Sequence, residues 1–180
     1  MIRPPHVAIA FAAVLFATLA VAAVPSTPGR SPAARLTSRV DRVLVLKARH
    51  EMLLYSEQRI VARYAVGLGS APVGAKQRAG DNRTPEGSYV LDYKKAASAY
   101  FRAIHVSYPD AADVARARRA GVPPGGAIMV HGQPNDPRER AAVRAYPFPD
   151  WTNGCIALSN ADMADLWARI EVPVPIEIRP

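Results

Sequence analysis

The sequence is short of thiol. Among its 180 residues there is one cysteine, Cys155, so no disulfide can form within the chain. Histidine is scarce too: His6, His50, His105 and His131 are widely spread. Neither these nor Cys155 fall at a metal-ligand spacing, so no metal site and no cofactor is expected. Aromatic residues make up 7% of the chain in scattered positions, and no long lysine or arginine run occurs. The stacking platforms and basic helices of a nucleic-acid binder are therefore missing, and no nucleic acid is expected as partner. The net charge is nevertheless +8. Carried as dispersed arginine, it suits anionic envelope polymers or lipid head groups. There is no internal repeat.

One long hydrophobic run is present, from Val7 to Val24, with Arg3 ahead of it and a small-residue exit at Ala20-Val21-Ala22-Ala23. This pattern reads as a secretory signal peptide over 1–23, or else as an uncleaved N-terminal anchor, the only expected membrane contact. No cysteine follows the run, so lipid modification there is excluded. Residues 24–38 are rich in Pro, Ser, Thr and Arg and read as a flexible linker. A single domain is expected over 39–180, exported to the periplasm or cell envelope. An unpaired thiol in an exported chain is an intermolecular link, a reactive group or an inert core residue.

The domain reads as mainly β. Strands are expected at Arg42 to Lys47, Met52 to Tyr55 and Arg59 to Val66, the last two joined as a hairpin through Ser56-Glu57-Gln58. Further strands are expected at Ser88 to Tyr93, Phe101 to Ser107 and Ala127 to His131. The tail, Val172 to Ile178, holds Pro173 and Pro175 and reads as an edge strand. Three short helices punctuate these. One spans Asp110 to Ala120 and stops at Gly121. The second starts at Asp136-Pro137. The third, capped by Ser159 or Asn160, has Met163, Leu166, Trp167 and Ile170 as its core face. The pattern fits a β-sandwich or barrel with a few short helices.

The chemistry concentrates in Trp151-Thr152-Asn153-Gly154-Cys155 and Val130-His131-Gly132. A thiol reacts as its thiolate, and a histidine within reach can take the proton and form a thiolate–imidazolium pair. Gly154 allows a turn that exposes the sulfur, and Gly154 and Gly132 are candidate backbone elements for holding an oxyanion and for approaching the ring. A carbonyl at Gly132 can orient the imidazole. His131 is the candidate base. His105 either lines the pocket or is a satisfied core histidine, and His50 belongs to a polar turn. Arg83 and Arg144 either meet substrate carboxylates or face solvent. By residue type alone, the pair fits several unrelated cysteine enzymes.

The segments together resemble the L,D-transpeptidase, or YkuD, family. Val130-His131-Gly132 matches its His-Gly strand end, and Thr152-Asn153-Gly154-Cys155-Ile156 matches its Ser/Thr-His-Gly-Cys motif. Gly80-Asp81-Asn82-Arg83-Thr84-Pro85-Glu86-Gly87 is similar to its GD-x-x-TP-x-G loop, and Ser107-Tyr108-Pro109 to its SYPN strand end, with Asp110 in place of the Asn. The resemblance implies an acyl-enzyme on Cys155 with His131 as base, acting on peptidoglycan stem peptides and transferring to an amine. The products would be cross-links or an attached envelope lipoprotein. Water as acceptor would instead make a carboxypeptidase or a lipoprotein-releasing amidase, and a non-catalytic wall-binding module is the remaining reading. Substrate contacts are expected from Trp151, Thr152, Asn153, His105 and Tyr108. Two departures stand out. Asn153 replaces a histidine found in many members, and Ala157 replaces an arginine two residues after the nucleophile.

Overall fold

The computed structural model describes residues 39–145 and 149–180. The expected signal and linker segments over 1–38 lie outside the described residues. Eight strands form one sheet: β1 (Arg42–Leu46), β2 (Glu51–Ser56), β3 (Arg59–Ala65), β4 (Gly87–Lys95), β5 (Ala103–Val106), β6 (Met129–His131), β7 (Ile156–Ala157) and β8 (Val174–Arg179). Their order across the sheet is β3-β2-β1-β8-β4-β5-β6-β7. The expected hairpin is present, and Glu57 and Gln58 both take positive φ at its two-residue turn, which matches the twist of the flanking strands.

The sandwich-or-barrel expectation takes the form of a single curled sheet. Beyond β3, Gly67 exchanges both backbone hydrogen bonds with Ala157 of β7, at 2.9 and 2.8 Å. The two ends of the strand order thus meet at this point. Only glycine fits there, because a Cβ on Gly67 would lie 2.2 Å from the Pro149 carbonyl oxygen.

The edge-strand expectation for the C-terminal tail is corrected. Strand β8 lies inside the sheet, parallel to β1 and antiparallel to β4. Pro175 is tolerated because it pairs only with Val90 of β4, while the β1 register begins one residue later, at Ile176. The side chains of Val174, Ile176 and Ile178 alternate into the core, a burial that outweighs the missing amide.

The helices are α1 (Ala111–Arg119), α2 (Pro137–Ala145) and α3 (Asn160–Arg169). Asp110 and Asp113 close a capping box on α1, and Gly121 follows at φ +68°. The Asp136 carboxylate accepts the Arg138 and Glu139 amides at the start of α2. Ser159 accepts the Asp162 amide at the start of α3. Each such cap stabilises its helix by about 1 kcal/mol. Met163 and Leu166 of α3 and the following Ile170 are fully buried in the core, with Trp167 packed at its margin.

Strand alternation then places the site. Ile104, Val106, Val130 and Ile156 point into the core. Side chains of a strand alternate between faces, so Ala103, His105, Met129, His131 and Ala157 occupy the opposite face of β5, β6 and β7.

Candidate active site

Cys155 precedes β7 directly. The parallel register pairs Val130 with Ile156 and His131 with Ala157, which sets Cys155 beside Met129, two residues before His131. The Met129 amide donates to the sulfur at 3.4 Å, and the thiol donates to the Ala127 carbonyl at 3.7 Å. Cys155 is half-buried. Among the described residues no hydrogen bond joins Sγ to the imidazole.

His131 is buried, with 3% of its surface exposed. Its Nδ1 donates to the Gly132 carbonyl at 2.7 Å, which leaves Nε2 as the proton acceptor. Tyr100 lies tilted over the ring at 4.3 Å between centroids, and Trp151 meets it edge-on at 5.7 Å. Gly132 is required for packing: a Cβ there would lie 2.5 Å from the Phe101 carbonyl oxygen.

Burial drives both reactive groups toward neutrality. It lowers the His131 pKa, against the opposing hydrogen bond to Gly132. It also raises the Cys155 pKa, against the Met129 amide and the charge of Lys76. Both directions favour a neutral thiol and a neutral ring over the expected thiolate–imidazolium pair.

The turn before the thiol is built by Thr152. This residue is buried, and its hydroxyl donates to the Cys155 carbonyl at 2.7 Å and accepts the Gly154 amide at 3.1 Å. Thr152 thus faces inward, away from the position of a substrate contact. Gly154 takes φ +124°, and a Cβ on it would sit 2.6 Å from the Arg83 carbonyl oxygen. With its amide held by Thr152, Gly154 has no hydrogen to offer an oxyanion. The Gly132 amide likewise donates to Phe101 and Arg102. Among the described residues the Cys155 amide has no such partner. Asn153 stands exposed beside it.

Of the other expected substrate contacts, Tyr108 is corrected. It is buried, its hydroxyl donates to the Pro124 carbonyl at 2.9 Å, and burial with the nearby Asp113 and Asp81 carboxylates pushes its pKa up to about 12. His105 shares the face of the thiol and pairs across the ladder with Met129. Its Nδ1 is 2.8 Å from Asp92 Oδ1, and its ring stacks on Tyr93. Trp151 lies against the His131 ring, as described.

Four residues escaped the sequence reading of the site. Tyr100 carries no signal beyond an aromatic ahead of a strand. Asp150 adjoins the Cys155 motif: its carboxylate accepts the Leu68 amide at 2.8 Å and is bound by His50 Nε2 at 2.9 and 3.0 Å. His50, read as part of a polar turn, thus ties the β1–β2 connection to the segment that carries the thiol. Lys76 is buried and bonded to Asp81 at 2.7 Å. Its Cε packs at Gly125, in the loop that carries Ala127. Among the described residues no cluster of metal-ligating side chains occurs.

The sequence pattern of the L,D-transpeptidase catalytic domain, YkuD, matches residues 40–178. No curated protein sequence matches the chain. Among solved structures, the helical cell shape determining protein Pgp2 from Campylobacter jejuni is similar at 25% identity and a TM-score of 0.60, covering 79% of this chain and 48% of that one. Bd1075 from Bdellovibrio bacteriovorus is similar in fold at 23% identity and a TM-score of 0.55, over 79% of this chain and 48% of that one. An L,D-transpeptidase from Xylanimonas cellulosilytica shares the fold at 18% identity and a TM-score of 0.51, over 79% of this chain and 62% of that one. The chain thus spans about half the length of Pgp2 and Bd1075. With its motifs, curled sheet and matched span in agreement, the chain belongs to the L,D-transpeptidase catalytic-domain family, YkuD.

Proposed function

We propose that the chain is a cysteine acyltransferase of the cell envelope that acts on peptidoglycan stem peptides. Cys155 is the nucleophile and His131 the base. The observation that carries this reading is the fixed imidazole: Nδ1 is held by the Gly132 carbonyl at 2.7 Å, so Nε2 is the acceptor on the face that also bears the thiol.

The reaction starts from neutral partners. The thiol turns from the Ala127 carbonyl toward the imidazole, and its proton passes to Nε2 as sulfur attacks the carbonyl of the third stem residue, a diamino acid. The Cys155 amide, with no partner among the described residues, donates to the oxyanion. Nε2 then returns the proton to the amine of the departing D-amino acid, leaving a thioester. An amine from a second stem or from an envelope lipoprotein attacks the thioester and yields its proton to Nε2, and sulfur leaves as thiol. Asn153 is the exposed polar side chain next to this centre and contacts the substrate, with Trp151 forming a wall. A role in wall remodelling fits the likeness to a protein that determines cell shape.

The test is product analysis. Incubated with a synthetic tetrapeptide stem and an amine acceptor, the protein is expected to form a cross-linked product and to release the D-amino acid. Release without cross-link assigns a hydrolase. No release in the presence of both, with the wild-type fold intact, contradicts catalysis and leaves a wall-binding module.

A further inference from the structure

Strand β4 lies inside the sheet, yet its ladder to β5 is irregular. Leu91 pairs with Val106 and Lys94 with Ile104, so β4 advances one residue more than β5 between the two pairs. The surplus falls at Asp92 and Tyr93. Consecutive residues of a regular strand point to opposite faces. Here both reach one side chain, His105 of β5. The Asp92 carboxylate accepts from His105 Nδ1 at 2.8 Å, and the Tyr93 ring stacks on the imidazole at 4.6 Å between centroids and 15° between planes. A bulge re-aims side chains at the expense of ladder hydrogen bonds. The core gains nothing in return, because Asp92 and Tyr93 are both exposed.

The group that the bulge assembles is next to the thiol. His105 is the ladder partner of Met129, and the Met129 amide bonds the Cys155 sulfur at 3.4 Å. Side chains directly opposite on a ladder stand about 5 Å apart. The Met129 side chain therefore floors the surface between sulfur and imidazole, a span of roughly 10 Å, or two strand spacings. His105, Met129 and Cys155 are each partly exposed along it.

The far end of this span accepts hydrogen bonds. With Nδ1 donating to Asp92, Nε2 of the neutral ring is an acceptor. His105 is the sole hydrogen-bond partner of Asp92 among the described residues, which leaves Asp92 Oδ2 open. The neighbouring cations do not cover it. Lys94 and Arg102 lie over the Trp167 ring, and Lys95 makes no ion pair among the described residues. Two acceptors, one of them charged, beside an exposed aromatic ring and beyond a thioether floor, fit a methylene chain that carries an ammonium.

We propose that Asp92 and His105 bind the distal ammonium of the diamino acid side chain in the donor peptide, with its methylenes on Met129, and so select the third stem residue. The inference rests on the acyl-transfer reading above, which brings the carbonyl of that residue to Cys155. His131 stands two residues along β6 from Met129, and the leaving and attacking amines take that direction. The direction across the ladder to β5 is left for the side chain of the acylated residue. Asp92 supplies the charge, and Tyr93 holds the plane of the imidazole.

The test compares two donor stems that differ at the third residue alone. One carries diaminopimelic acid, the other 2-aminopimelic acid, which lacks only the side-chain amine. Acylation of Cys155 by each is followed by intact mass and by the rate of D-residue release. Wild type is expected to prefer the amine-bearing donor in kcat/KM by about tenfold, the scale of a charge-assisted contact. Asp92→Asn keeps an acceptor for Nδ1 without the charge and is expected to bring the two donors together. His105→Phe keeps a ring on Tyr93 without the acceptor and is expected to remove part of the preference. Melting temperatures check that each variant stays folded. No preference in wild type, or a full preference in either folded variant, overturns the inference and leaves the acyl-transfer reading standing. Equal slowing of both donors by Asp92→Asn also overturns it, by assigning the bulge to support of the thiol. Absence of a Cys155 adduct with both donors on wild type overturns the two together.

Discussion

The Thr152 hydroxyl donates to the Cys155 carbonyl at 2.7 Å and accepts the Gly154 amide at 3.1 Å, so one buried oxygen sets the turn that presents the thiol. Replacing it with a methyl group leaves a buried amide and a carbonyl without their partner, at about 1 kcal/mol or more each. Thr152→Val is therefore expected to slow acylation about ten- to a hundredfold with the fold retained, and Thr152→Ser to stay near wild type. Stopped-time intact-mass measurements of adduct formation check this.

The pH dependence follows from burial. His131 is pushed below its ordinary range and Cys155 above its own. The reaction needs an unprotonated ring and a protonated thiol, because the same proton later serves the leaving amine. Acylation is thus expected to hold its plateau below the usual histidine pKa of about 6.5 and above the usual thiol pKa of about 8.5. A rate profile with both limbs inside that window, or one that rises steadily with thiolate formation, contradicts the neutral resting pair.

Asp81 supplies a separate acid-stability signature. Burial opposes its ionisation, but hydrogen bonds from the Gln77 amide, the Lys76 ammonium and the Arg78 and Arg83 amides hold its pKa down to about 2. A carboxylate whose pKa falls on folding adds stability above its unfolded value, near 3.9, and that stability is lost as pH falls toward the folded value. The difference corresponds to about 2–3 kcal/mol. Asp81→Asn is expected to lower the melting temperature at pH 7 and to flatten its fall between about pH 4 and pH 2. Thermal melts across that range test it. The same variant loosens the loop whose Arg83 carbonyl backs Gly154, so slower acylation is expected with it.

Local rules made much of the fold legible. The Glu57-Gln58 hairpin, the Ser159 cap and the stop at Gly121 each depend on residues within a few positions of one another. The Cys155 and His131 segments could be read as candidates because both lie in short motifs. What escaped depends on distant partners. His50 meets Asp150 across 100 positions, and Lys76 packs against a loop some fifty residues on, at Gly125. Thr152 and Tyr108 sit in motif segments, yet their hydroxyls turn inward to backbone carbonyls, a direction that residue type does not reveal. Pro175 suggested an edge, but the offset between the β1 and β4 registers absorbs the missing amide.

The most direct measurement is the intact mass of the protein after incubation with a carbapenem, an acylating mimic of the stem peptide, for wild type, Cys155→Ala and His131→Ala. A single adduct on wild type, none on Cys155→Ala and a strongly slowed one on folded His131→Ala is the expected result. An adduct of equal yield on Cys155→Ala would place the reactive group elsewhere and contradict the assignment of Cys155 as the nucleophile.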